Sequence, residues 1–359
     1  MKIMHIVGNR PQFIKLALLY KELAKNNTGG FILHSGQHFD ANMSRIFFDE
    51  LDIPAPQKQL TVNPMSHNEM IGTMLINIDP VIVSEKPDGI IVYGDTNTTL
   101  AGALAARKRN VALVHIEAGI RTGDESMPEE TNRYLADRMA RFNFCCTALG
   151  MQNLIKEGYA TDLKPPGLYH CGDLMLDAVL AYKEIALARP PVQVGIDCEK
   201  PFILATIHRA ENNGAIGNLE NIVSALNELH RHTPVLFPMH PNTKKIIQQH
   251  QLVVDFVVCE ALGYLDTLAL TQRCQSVITD SGGLSREAFF LSKPVLVVMQ
   301  NPFWPEILLH GNCLRSGAVT EEIISKHRSL MENNKPFKVD IFGDGHAAEK
   351  ISNALLAAW

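Results

Sequence analysis
Short apolar runs alternate along this chain with helix-length stretches of mixed polarity. In the first half the runs fall at 2–7, 31–34, 90–93, 111–116 and 142–146; in the second they fall at 202–206, 235–237, 253–258, 276–279 and 295–298. Runs that stay apolar on both pleat faces suit parallel strands covered on either side by crossover helices. The pattern predicts an α/β fold of two doubly wound domains facing across a cleft. The first domain would span residues 1–183 and the second 184–346. Periodicity is lost across 184–201, which contains ARPPVQVGIDCEKP and reads as the linker. A final helical segment, 347–359, could pack back on either half.

Ligands of doubly wound sheets bind beyond the carboxyl ends of the strands. Asn9-Arg10, Gln37-His38, Asp95, Glu117, His208, His240 and Asp280-Ser281 each follow an apolar run. So many chemically capable residues on one kind of edge mark it as functional. The densest stretch is HIEAGIRTGDESMPEETNRYLADR, residues 115–138, which gathers Glu117, Asp124, Glu125, Glu129 and Glu130 just after a buried strand.

Composition narrows the classes of function. A chain of 359 residues with 46% hydrophobic and 20% charged residues has the bulk for two cores. A net charge of −5 without any Lys or Arg run argues against nucleic-acid and membrane-surface partners and leaves small anions open. No stretch reaches 18 apolar residues, and the opening MKIMHIVGNRPQF is too short in apolar residues for a signal peptide. Seven cysteines without a C-x-x-C pair predict buried free thiols in a reducing compartment, hence a cytoplasmic protein.

The individual stretches each admit a chemical and a structural reading. TDSGGLSREA (279–288) has two glycines opening a helix capped by Ser281; this suits a phosphate at the helix N-terminus, or a plain turn. Glu287, further along, would meet ribose hydroxyls or simply solvent. In GNRPQFIK (8–15), Asn9 reads as the helix cap, with Pro11 in the first turn. Arg10 opposes the helix dipole there, which points to a bound anion. Asp95 is either a helix cap or a catalyst. Ser126-Met127-Pro128-Glu129 matches a capping box, and Glu129 could pair with Arg133 at i, i+4. Glu117 has no cap to make and suits proton transfer. His208 and His240 end strands without a His-x-x-His or cysteine cluster beside them, so no metal is expected. There is no P-loop, no G-x-G-x-x-G and no G-x-S-x-G elbow.

Together GNRPQFIK, SGQHFDANMSRIFF, YGDTNTTLAGALAA, HIEAGIRTGD, MPEETNR, HRAEN, MHPNT, GYLDTLAL and TDSGGLSREA resemble, in order, the non-hydrolysing UDP-N-acetylglucosamine 2-epimerase family. The likeness runs nearly end to end. Its variants look closest to the branch that includes UDP-2,3-diacetamido-2,3-dideoxy-glucuronate 2-epimerases. The resemblance implies two Rossmann-like domains as in GT-B glycosyltransferases, with UDP held mainly by the second. It implies catalytic roles for Asp95, Glu117, Glu129 and His208. It implies that Arg10, His208, Ser281, Gly282 and Gly283 hold the diphosphate, that Glu287 meets the ribose, and that Lys15 and Arg133 support the carboxylates, with His240 a further substrate-binding residue.

The chemistry so implied needs no cofactor. UDP leaves anti across C1–C2, a 2-acetamidoglucal forms, and UDP adds back after C2 is reprotonated from the other face. The resemblance also implies a homodimer. Two departures lie near the sugar. Residues 299–306 read Met-Gln-Asn-Pro-Phe-Trp-Pro-Glu where the family carries an Arg-Asp-x-Thr-Glu stretch, and Ser285 replaces a glutamine. Gln37 and Arg209 match members activated by a second UDP-GlcNAc, whereas Phe39-Asp40 do not. The alternatives are a hydrolysing 2-epimerase that releases UDP and free sugar, a GT-B glycosyltransferase, and a UDP-sugar-binding protein without turnover.

Overall fold
The computed structural model describes residues 1–37, 41–62, 66–159, 167–333 and 335–359; His38 and Phe39-Asp40 lie outside them. The chain divides into two compact units, Met1–Ala178 with Asp340–Trp359, and Val179–Val339. The division at Val179 falls inside the helix Leu174–Ala188, ahead of the 184–201 stretch singled out by composition.

The first unit holds a seven-stranded sheet of β1 (Lys2–Val7), β2 (Gly29–His34), β3 (Lys58–Gln59), β4 (Gly89–Tyr93), β5 (Ala112–Ile116), β6 (Phe142–Cys145) and β7 (Gly167–His170). Its order is β3-β2-β1-β4-β5-β6-β7. The second holds six strands, β8 (Ile203–Thr206), β9 (Val235–Met239), β10 (Val257–Glu260), β11 (Ser276–Thr279), β12 (Val295–Val298) and β13 (Cys313–Ser316), in the order β10-β9-β8-β11-β12-β13. All described pairings are parallel.

In each sheet the strand order reverses once, between β1 and β4 and between β8 and β11. Helices leaving neighbouring strands to opposite faces open a crevice at that point. The central strands are apolar because both faces are covered: Ile3, Met4, Ile6, Ile90 and Val92 are inaccessible to water, as are Leu204, Ile278 and Val298. Gly102, on the helix Asn97–Lys108, shows how close that cover lies, since a Cβ there would meet Val92 Cγ1 at 2.9 Å.

Three strands escaped the hydrophobic pattern. β3 is a two-residue exposed edge, and β7 and β13 are edge strands with mixed burial, so no continuous apolar run marks them. The run at 253–258 is corrected as well: β10 starts only at Val257, and its alternating exposure is that of an edge strand. The C-terminal helix Ala347–Ala358 belongs to the first unit. Its start is held by the Asp177 carboxylate, which accepts the Ala348 N–H at 2.8 Å.

Candidate active site
At the switch point of the first sheet, β1 runs through Gly8 into the helix Arg10–Lys25. Asn9 caps that helix, accepting the Gln12 N–H, as its sequence indicates. Gln12 reaches across the switch: its Oε1 accepts the Gly8 N–H at 2.7 Å, and its Nε2 donates to the Tyr93 carbonyl at 2.7 Å. The loops after β1 and β4 are thereby fixed to each other. Arg10 opens the helix half-buried, with its guanidinium 4.7 Å from the Phe47 ring centre.

Five residues further in, Lys15 is buried, and its ammonium lies 2.5 Å from the Glu117 carboxylate. Glu117 follows β5 directly with φ 72°, a left-handed conformation that costs a non-glycine residue about 1–3 kcal/mol and concentrates at functional sites. Both Glu117 and Ala118 donate their N–H groups to the Phe144 carbonyl. Gly119 follows with φ 80°, where a Cβ would stand 2.2 Å from the Gly150 carbonyl oxygen, so no other residue fits. Glu117 therefore points its carboxylate back towards Lys15 and the Gly94-Asp95 loop.

The helix Pro128–Met139 completes this edge. Arg133 is almost fully buried and donates to Asp95 at 2.5 Å and to Glu130 at 2.6 Å. Burial works against its charge, but the two carboxylates outweigh it and raise its pKa. Two sequence expectations are corrected here. No capping box forms, because Met127 is the cap residue and makes no side-chain cap. The partner of Arg133 is Glu130, not Glu129. Pro128 at the first helical position puts Glu130, rather than Glu129, at N3, and its carboxylate turns inward. There it accepts the Thr122 and Gly123 N–H groups and the Thr122 hydroxyl. Glu130 thus ties the 120–127 loop to the helix, leaving Glu129 half-buried outside that network. The Asp95 reading is refined too: Thr96 is the cap of the helix Asn97–Lys108, so Asp95 keeps its carboxylate for Arg133.

Behind these residues Asp137, fully buried, receives His115 Nδ1 at 2.7 Å, Arg121 Nη1 at 2.8 Å and the Gly119 N–H at 3.2 Å. Gln12, His115 and Asp137 were not singled out by the sequence because their decisive partners lie on other elements, and Glu130 was seen there only as one of an acidic cluster. Glu117, Cys146 and Asp173 also bring one potential ligand atom each within 4.8 Å of one another. No spacing announced this trio. The Lys15 ammonium already places a positive charge on Glu117.

The second unit builds its switch point differently. Asp280 directly follows β11, is fully buried and accepts the N–H groups of His208 (3.1 Å) and Arg209 (2.9 Å) and the Asn212 amide (3.0 Å), while His208 Nδ1 lies 3.2 Å away. Burial would raise its pKa; the hydrogen bonds, that from His208 foremost, lower it instead. Ser281 caps the helix Gly282–Phe290, its Oγ accepting the Leu284 N–H at 3.3 Å. The leading N–H groups of a helix have no intrahelical acceptor, and at Gly282 and Gly283 no side chain stands on them.

His208 and His240 approach with ring centres 6.2 Å apart. His240 is also a helix cap, its Nδ1 accepting the Asn242 N–H. Glu287 is buried rather than solvated. In the 299–306 segment, Phe303 and Trp304 are buried and support cations, Arg209 lying 4.1 Å above Phe303 and Arg286 3.8 Å above Trp304. Ser285 is buried and donates to the Gly282 carbonyl.

The five cysteines Cys145, Cys146, Cys171, Cys274 and Cys313 are buried free thiols, and Cys198 and Cys259 are half-buried ones. Burial pushes Cys274 up to about 12. Among the described residues no helix is long and apolar enough to cross a membrane.

Two Rossmann-like units, one edged with buried carboxylates and one with a glycine-led helix, define an α/β protein of the GT-B-like class. The chain belongs to the UDP-N-acetylglucosamine 2-epimerase family, whose model matches residues 21–356. It is 41% identical over 357 residues to the UDP-2,3-diacetamido-2,3-dideoxy-D-glucuronate 2-epimerase of Pseudomonas aeruginosa, covering 99% of each chain. It is 35% identical over 366 residues to a UDP-N-acetylglucosamine 2-epimerase of Methanocaldococcus jannaschii, again covering 99% of each. Among solved structures it matches the Methanocaldococcus jannaschii UDP-GlcNAc 2-epimerase in complex with UDP-GlcNAc and UDP. That match has a TM-score of 0.93 and 34% identity, and covers 99% of this chain and 100% of that one.

Proposed function
We propose that the protein inverts C2 of a UDP-2-acetamido sugar without hydrolysing it, and that the sugar is UDP-2,3-diacetamido-2,3-dideoxy-glucuronate or UDP-GlcNAc. The observation that carries this reading is the buried Lys15–Glu117 pair beside Asp95–Arg133 at the carboxyl edge of one sheet. Inverting C2 requires proton-handling groups towards both faces of the ring. Asp95, Glu117 and Glu129 supply them in this reading, with Lys15 and Arg133 holding the first two. One carboxylate takes the C2 proton as the C1–O bond to UDP breaks, leaving a 2-acetamidoglucal. A second carboxyl group, protonated beforehand, gives its proton to the opposite face of C2 and becomes the carboxylate as a UDP oxygen re-forms the bond at C1.

The first unit would handle the sugar and the second the nucleotide. Gly282, Gly283 and Ser281 would hold the diphosphate with His208 and Arg10, His208 also acting in catalysis; Glu287 would meet the ribose, and His240 would bind substrate. The greater identity to the diacetamido-glucuronate enzyme supports that sugar as the first candidate. In this reading the protein is a cytoplasmic homodimer that supplies surface-polysaccharide precursors.

Proton NMR in D2O with each UDP-sugar tests the proposal. Deuterium at C2 together with a manno-configured UDP-sugar is the expected result. Free sugar plus UDP would move the protein to the hydrolysing class, and absence of exchange with both compounds would end the proposal.

A further inference from the structure
We infer that His115 is a positioning residue for this chemistry, one imidazole that sets the loops of Asp95 and Glu117 against each other. The inference rests on the epimerase reading. His115 is wholly buried near the carboxyl end of β5, and both of its ring nitrogens face acceptors. Nε2 lies 2.7 Å from the Gly94 carbonyl oxygen, and Nδ1 lies 2.7 Å from Asp137 Oδ1. Each ring nitrogen thus has a partner of its own, one a backbone carbonyl and the other a carboxyl group.

Each contact leads to a carboxylate. Gly94 immediately precedes Asp95, and its own N–H is held by the Ile116 carbonyl at 2.9 Å. The Gly94 peptide is thus clamped at both its N–H and its C=O. Asp137 receives the Gly119 N–H on its other oxygen, 3.2 Å away, and so fixes the turn that throws Glu117 into its left-handed conformation. Arg133 and Asp137 stand one helical turn apart, so a single face of the helix Pro128–Met139 addresses both loops. Arg133 grips the Asp95 carboxylate directly, and Asp137 grips the Gly94 backbone through His115.

Two carboxylates that serve opposite faces of one carbon tolerate little relative drift. Misplacement of a catalytic group by about 1 Å costs on the order of 100-fold in rate. An amide side chain can replace only one half of the imidazole. Asn at this position sets its NH2 near the place of Nδ1 and keeps Asp137; Gln sets it near Nε2 and keeps Gly94.

The test compares His115→Asn and His115→Gln with the wild type, measuring kcat, KM, UDP affinity and release of the unsaturated sugar with UDP per turnover. In both variants kcat should fall about 10- to 100-fold, with KM and UDP affinity within about threefold. Leakage of the unsaturated sugar should rise, because reprotonation at C2 lags. A kcat within twofold of wild type, or wild-type leakage, overturns the inference, as does a parallel fall of kcat and UDP affinity. If neither variant folds, Asp137→Asn carries the test. It leaves an acceptor for the imidazole but turns an NH2 towards Gly119 or Arg121, and the same kcat loss at unchanged UDP affinity is required of it. An inactive wild type would end the epimerase reading itself, whereas an active wild type with unaffected variants would end only this inference.

Discussion

The two units share a topology yet hold their functional edges by opposite means. In the first, side chains hold one another: Lys15 on Glu117, Arg133 on Asp95 and Glu130, and Arg121 with the His115 imidazole on Asp137. In the second, the buried Asp280 gathers two backbone N–H groups beside the His208 and Asn212 side chains, and Ser281 caps a helix that opens with two glycines. Groups that exchange protons need titratable partners whose positions are fixed. An anion site needs only oriented N–H dipoles, which backbone supplies without side-chain entropy. In the proposed reading one fold would serve two chemistries by changing what stands after its strands.

The sharpest way to break that contrast is Glu117→Gln. If the first edge handles protons and the second holds nucleotide, turnover should fall by about 10³-fold while UDP affinity stays nearly unchanged. NMR-monitored C2 exchange beside calorimetric UDP titration would show it, and a parallel loss of both would erase the division of labour.

Next comes Arg133→Met, which leaves the buried Glu130 and the half-buried Asp95 without their cation. Removing one member of a buried ion pair costs about 3–5 kcal/mol, to be read from urea unfolding. A loss below about 1 kcal/mol would mean that water reaches these carboxylates and that the network is not what fixes them.

Acid should act on both units. Burial holds His5 in the first unit down at about 3 and His327 in the second at about 4, against an unfolded value of 6.5. Between those values the unfolded chain binds protons that the fold refuses. Stability is therefore complete above pH 6.5 and drains as pH falls towards 4, by at most about 1.4 kcal/mol per pH unit for each histidine. His327→Gln should flatten that slope in chemical denaturation series. Asp280, depressed in the fold, adds a further loss only below the ordinary carboxylate range.

The smallest effect separates packing from ligand approach within the second edge. A Cβ at Gly282 would meet Phe303 Cδ2 at 2.9 Å, whereas at Gly283 the nearest group is Ser281 Oγ at an ordinary 3.8 Å. Gly283→Ala should leave the melting temperature unchanged and weaken UDP about tenfold, some 1.4 kcal/mol. Wild-type affinity in that variant would exclude the helix N-terminus as the diphosphate site.

Much of the architecture was legible along the chain. The central strands β1, β4, β8, β11 and β12 are buried on both faces, so their residues had to be continuously apolar, and the pattern displays them. The edge strands β3, β7 and β13 carry no such requirement and left no signal. Local capping was readable at Asn9 and Ser281, where donor and acceptor lie within a few residues. It misled at Ser126–Glu129, because the Thr122 and Gly123 N–H groups and Arg133 compete for a carboxylate and are best met by Glu130.

The sequence by itself determined two doubly wound sheets, the residues placed after their strands, and membership of a 2-epimerase family. The tertiary structure decided which of those residues touch. Lys15 meets Glu117 across 102 positions, Arg133 meets Asp95 across 38, and His115 joins Gly94 to Asp137. Periodicity reports whether a side chain faces core or solvent. It carries no information about which partner from another element waits there, and for buried charge that partner is what fixes position and protonation.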